Sequence, residues 1–286
     1  GTGYQDEPLF GTTASATISP SVVCNGSTAT LTAALAAPGS RSLGTGSLTS
    51  SSTPNTMFSG AWGGQKSQFI IRASELTAAG ILPGNITSLS FEATTAFNGY
   101  EGFALNVGQT TATVAAFPMI TTGLTQVYAG TGTNGAYATT VGVNTLNFST
   151  PINWDGTSNL VVQFCWAKNP TATSTTGTTI KYDTTTFVSA AVGQKDSTLA
   201  ATMCPLSASA DFGTTTTGSV RPKFTFGAQV AANGISYSWV NNTTSSVVGT
   251  TNPLTVTPAN GDTYTVTMST AGGCTATATT AAVTVQ

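Results

Sequence analysis

Threonine fills 59 of the 286 positions, and it falls where a period of two needs it. Ala29, Leu31, Ala33 and Leu35 alternate with Thr28, Thr30 and Thr32. Ile235, Tyr237 and Trp239 share one face, as do Tyr264, Val266 and Met268, with Ser and Thr between them. A β-branched side chain fits the strand pleat while its hydroxyl faces water, so this pattern specifies half-buried strands. Turn dipeptides punctuate it at Asn25-Gly26, Asn98-Gly99, Asn134-Gly135, Asn233-Gly234 and Asn260-Gly261. These supply the positive φ of tight hairpins, so many short antiparallel strands are expected. The one helical pattern is short, over 73–80, with Ser74 as its N-cap and Gly80 closing its C-terminus.

Charge narrows the function classes. Eight Lys and Arg against ten Asp and Glu, with no His, give no basic face for nucleic acid and no Ser-His-Asp triad. No run approaches the roughly 18 apolar residues of a membrane-spanning helix. The 40% hydrophobic content is enough to build a core. The chain starts at Gly1 without a charged and then apolar leader, so a removed leader or a longer parent chain is expected.

Residues 14–37 hold too few strands to bury a sheet face, and 229–286 supply the missing ones. Joined, they read as one immunoglobulin-like sandwich with Trp239 in its core. Residues 38–228 then form a second domain inserted into a loop of the first, and 1–13 form an N-terminal tail. The fold class expected is all-β, an Ig-like sandwich carrying a larger jelly-roll-like β-sandwich. Strands of the insert are expected over 68–72, 86–93, 103–107, 141–148, 160–166, 179–182 and 221–226. The stretch 160–166 is apolar on nearly both faces, which marks a central strand. At the C-terminus the apolar phase shifts between Ala278 and Ala281, which predicts a bulge or two short strands.

None of the four cysteines has zinc-like or redox-like spacing, so disulfides and an oxidising, extracellular setting are expected. Keeping each bridge within one domain pairs Cys24 with Cys274 and Cys165 with Cys204. No metal, cofactor or catalytic residue is assigned.

The stretches ISPSVVCNGSTATLTA, YSWV and NPLTVTPANGDTYTVTMSTAGGCTATATTAAVTV resemble the Ig-like repeats of large surface proteins that Bacteroidota export by type IX secretion. IIRASELTAAGILPGNITSLSFEA, FALNVGQTTAT, INWDGTSNLVVQFCW and SVRPKFTF resemble a β-sandwich module of the same gliding-adhesin-like proteins. These are scaffold motifs, and they identify no active site. The resemblance implies an extracellular cell-surface adhesin or fibre component.

Local motifs add little chemistry. The G-x-G-x-x-G match at 130–135 lacks its strand-helix context, and 60–67 places Gln65 where a phosphate-binding loop needs glycine. Glu92 and Glu101 flank the Asn98-Gly99 turn as a conceivable carboxylate pair, but each reads more simply as a solvated strand residue. Asp183-Thr184-Thr185 and Asp196-Ser197-Thr198 resemble the acidic-Ser/Thr sites of O-glycan attachment in the same bacteria. Trp62 and Tyr100, both beside glycines, are the candidates for stacking on a sugar ring. In the tail, Tyr4, Leu9 and Phe10 could add to a neighbour's sheet edge. The expected function is a non-catalytic structural or adhesive surface protein, self-associating or flanked by further repeats. The alternative is a carbohydrate-binding module of a secreted polysaccharide-degrading protein, with surface glycans as partners.

Overall fold

The computed structural model describes residues 13–232, 234–270 and 273–286. The tail candidates Tyr4, Leu9 and Phe10 lie outside the described residues. The chain is all-β, with several antiparallel sheets and two short helices. It divides into two compact units, crossing between them at 38/39 and 229/230; the sequence reading placed those crossings at 37/38 and 228/229.

The first unit opens with β1 (Thr13–Ser19), β2 (Val22–Val23) and β3 (Ala29–Leu43), whose residues beyond Pro38 belong to the second unit. β1 lies antiparallel to β3, from Thr13 opposite Ala36 to Ser19 opposite Thr30.

The second unit carries β4 (Leu48–Ser50), β5 (Gly64–Ile71), α1 (Ala73–Ala78), β6 (Gly84–Ala93), β7 (Phe97–Tyr100) and β8 (Ala104–Thr110). There follow β9 (Leu124–Ala129), β10 (Tyr137–Thr139), β11 (Gly142–Trp154), β12 (Asn159–Ala167), β13 (Ile180–Thr184) and β14 (Ala190–Lys195). α2 (Ala200–Met203), β15 (Thr214–Gly218), β16 (Val220–Pro222) and β17 (Phe224–Ala231), whose residues beyond Gln229 belong to the first unit, complete it. One sheet has the order β15-β14-β5-β12-β8-β9; the facing sheet is built on β6, with β11 on one side and β17 and β13 on the other. Between them lies an aromatic core in which Phe58 packs on Phe91, Tyr100 and Phe103, and Phe164 on Phe69 and Phe224.

β12 is the central strand, buried from Leu160 to Ala167. Leu160, Val162, Phe164 and Trp166 face the inter-sheet core. Val161, Cys165 and Ala167 face outward into a second, smaller core with Ile70, Ala115, Met119, Met203 and Phe212. Loop residues 112–120 and the segment around α2 therefore act as a third layer. The Cys165–Cys204 disulfide ties that layer to the sheet.

α1 starts differently from the expectation. Its N-cap is Arg72, and the Glu75 carboxylate, not Ser74, accepts the Arg72 N–H at 2.9 Å. The same carboxylate accepts from both terminal nitrogens of the Arg221 guanidinium, Nη1 and Nη2, at 2.9 Å. A side chain with two acceptor oxygens satisfies the helix start and a nearly buried cation together, which a serine hydroxyl could not. Gly80 does adopt positive φ, at 81°.

The chain returns to the first unit as β18 (Ser236–Asn241), β19 (Ser246–Gly249), β20 (Leu254–Val256), β21 (Tyr264–Ser269), β22 (Thr275–Thr279) and β23 (Thr284–Val285). β20 pairs with β3, and β19-β18-β21-β22 form the opposing sheet. This is the two-sheet order of an immunoglobulin-like sandwich. Trp239 is fully buried among Leu31, Tyr264, Val266 and Met268, its indole N–H donating to Thr251 O at 3.1 Å. The phase shift after Ala278 resolves as two short strands: β22 ends at Thr279, and β23 pairs in parallel with β2.

The expected Cys24–Cys274 bridge is absent; both are exposed free thiols. They sit at opposite ends of the sandwich. Cys24 precedes Asn25, whose N–H donates to Gln286 O, at the end where Val283 N–H reaches Asp262 O. Cys274 closes the turn beyond Ser269, accepting from Thr270 N–H at 2.9 Å. The six residues of β21 separate these ends by roughly 17 Å, whereas a bridge needs Cα atoms within about 7 Å. Replacing Cys165 and Cys204 together by Ala should lower unfolding free energy by about 4 kcal/mol, the chain-entropy value for their loop. Cys24→Ser and Cys274→Ser should leave it unchanged; urea unfolding of the three variants checks both statements.

Candidate functional site

Tyr100 cannot offer a ring face to a sugar. It is fully buried, its hydroxyl lies 2.9 Å from Thr176 O and 2.7 Å from Thr178 Oγ1, and its ring packs on Phe58, Phe97 and Trp166. The Asn98-Gly99 signal marked a turn, but Tyr100 pairs with Tyr137 and points into the core. Trp62 is half-buried, and its ring lies over Gly213, where a Cβ would come within 2.7 Å of the indole. The two residues therefore form no shared platform.

Glu92 and Glu101 do not make a hydrolytic pair either. Glu92 is ion-paired with Lys181 and, at 3.6 Å, with Lys223. The Lys181 hydrogen bond is the main cause that holds its pKa below the ordinary carboxylate value, opposite to the need of a general acid. Glu101 accepts from Asn134 Nδ2 at 3.0 Å, across the loop that contains the G-x-G-x-x-G match. That loop is a short 3-10 turn with Asn134 at φ 56°. Of the two acidic-Ser/Thr segments, Thr184 is exposed, whereas Thr198 is buried. Among the described residues no three of Cys, Asp and Glu converge on a metal-sized site.

What the structure does assemble is a polar groove on the outer face of the six-stranded sheet. Strand register sets Gln68 opposite Gln163, Gln163 opposite Asn106, and Asn106 opposite Gln126. Four carboxamides thus form one row across β5, β12, β8 and β9. Gln68 anchors the row: its Nε2 donates to Gln163 Oε1 at 2.8 Å and to Ile120 O at 2.6 Å, while its Oε1 accepts from Ile120 N–H at 2.9 Å. With Gln163 Oε1 engaged by Gln68, the Gln163 Nε2 is left to the groove, although the residue is only 5% exposed.

Lys66 lies one step along β5 on the same face, opposite Cys165. Its Nζ donates to Cys204 O and Leu206 O, both at 2.7 Å. This ammonium and the disulfide hold the same loop against the sheet from neighbouring strands. Burial lowers the Lys66 pKa from 10.5 to about 8, so it is still cationic at neutral pH. The groove encloses about 420 Å³ between Thr121, Leu124 and Gln126 on one side and Cys204 and Pro205 on the other, over Ala104, Asn106 and Gln163. Sequence reasoning missed it. Its signals were Gln163, polar in the middle of an apolar run, and Lys66 two residues ahead of Gln68, but only strand register puts them together.

Between pH 8 and 10.5 the unfolded chain holds a proton on Lys66 that the folded chain has released. The Lys66 contribution to stability therefore rises with pH across that window. The thermal midpoint of the wild type should gain on that of Lys66→Met between pH 7.5 and 9.5; parallel curves would contradict the assignment. Neither a protein-family model nor a curated protein nor a solved structure matches the chain.

Proposed function

We propose that this chain is a non-catalytic extracellular protein of structural or adhesive character, a fibre subunit or one unit of a large cell-surface adhesin. The observation that carries this reading is what the carboxylates do. Ten acidic residues occur; Asp6 and Glu7 lie outside the described residues, and each of the other eight accepts hydrogen bonds that hold the fold. Asp155 takes Thr157 and Ser158 N–H groups, Asp183 takes Thr45 and Gly46, and Asp196 takes Gly63. Asp211 takes Ser207 and Ala208, and Asp262 takes Ala259 N–H and the Asn241 amide. Glu75, Glu92 and Glu101 bind Arg221, Lys181 and Asn134.

Acid-base catalysis needs a carboxyl whose proton affinity is tuned and whose oxygens are open to substrate. Here the carboxylates pin turns, as in a scaffold built to stay folded outside the cell. The disulfide fits an oxidising compartment, and the sequence resemblance to exported adhesin repeats points the same way. The alternative module built on Trp62 and Tyr100 lacks its second ring, since Tyr100 is buried.

Electron microscopy of native, unheated material, with light scattering on the same sample and antibody labelling of intact cells, tests this reading. Regular filaments or arrays at the cell surface are expected. Dispersed monomers that do not label the surface would refute it.

A further inference from the structure

The amide row ends in an opening. Gln163 is nine-tenths buried, its oxygen is held by Gln68, and its Nε2 has no partner among the described residues while lining the groove. The nitrogen opens onto the groove, so its donor capacity is free for a ligand while the rest of the side chain is held in place. Beside it, Asn106 and Gln126 extend the row outward toward solvent, and Gln126 is exposed.

We propose that this groove binds a stretch of acidic polysaccharide, with the amides of Gln163, Asn106 and Gln126 meeting sugar hydroxyls and the Lys66 ammonium meeting a carboxylate. A carboxamide is donor and acceptor at once, as a sugar hydroxyl is, so a row of amides suits a ligand whose polar groups all have both capacities. The row repeats at the inter-strand spacing, about 4.8 Å, on the scale of one sugar ring. Leu124, Pro205 and Ala104 give apolar surface for the ring C–H faces. Among the described residues Lys66 is the one titratable group lining the groove; two of its protons go to Cys204 O and Leu206 O, which leaves the third. A single cation with no opposing carboxylate selects an anionic sugar over a neutral one. The proposal rests on the reading of the chain as an adhesive surface protein and names what that surface would hold.

Isothermal titration calorimetry of the full chain at pH 7 with galacturonate oligomers, mannuronate oligomers and neutral xylo-oligomers tests it. At least one acidic series is expected to bind in preference to the neutral one, more weakly as salt is raised. Asn106→Ala and Gln126→Ala should each reduce that affinity by about five- to tenfold, with thermal midpoints matching the wild type. Absence of binding by both acidic series, preference for the neutral oligomers, or affinity unchanged in both variants would overturn the proposal. Filaments or surface arrays seen by microscopy would stand in any of those cases, so failure of the groove assignment is distinguishable from failure of the structural reading.

Discussion

A strand that is apolar on both faces has to be covered twice, and the second unit is organised around that demand. β12 buries Leu160, Val162, Phe164 and Trp166 against the facing sheet, and Val161, Cys165 and Ala167 on the other side. A two-sheet sandwich covers only the first face. The second is closed by loops, which bring no ladder of backbone hydrogen bonds of their own and must be fastened individually. The Cys165–Cys204 disulfide, the Lys66 ammonium on Cys204 O and Leu206 O, and the Gln68 amide on Ile120 are those fasteners.

The same economy runs through the rest of the chain. With charged residues at 6% of the sequence, repulsion and solvation by charge are minor, and each ionised group is available for a specific task. Carboxylates cap turns and accept backbone N–H groups, which strengthens both partners because the bond is charge-assisted. In the first unit, Asn252 extends this logic with a neutral group. Its amide bonds both the N–H and the carbonyl of Ala33 at 2.8 Å, continuing a backbone ladder just ahead of β20.

The groove follows from the loop layer rather than being added to it. Between the segment near Ile120 and the segment near Leu206, each fixed to the sheet by a polar side chain, a strip of sheet face stays uncovered. Large apolar residues there would be left exposed, and the strip is floored instead by the amides of Gln163 and Asn106 beside the small Ala104. One set of residues thereby anchors the third layer and shapes the surface beside it. In Gln163 the two roles meet in one side chain, oxygen toward the anchor and nitrogen toward the opening.

How far the sequence reached depended on whether the needed information was local. Alternation, turn dipeptides and the two-sided apolar run 160–166 are properties of neighbouring residues, so the all-β class, most strands, the central strand and the core role of Trp239 were all legible. β9, β14 and β15 were missed because they lack a clear apolar-polar alternation; they become strands by pairing with β8, β5 and β14 respectively. The amide row, the burial of Tyr100 and the failure of Cys24 to meet Cys274 depend on register and on which end of a sandwich a turn occupies. Those are relations between residues far apart in sequence. A strand pattern determines which side chains share a face, but only the tertiary structure decides what stands opposite them, because a one-residue shift in pairing moves every side chain to the other face.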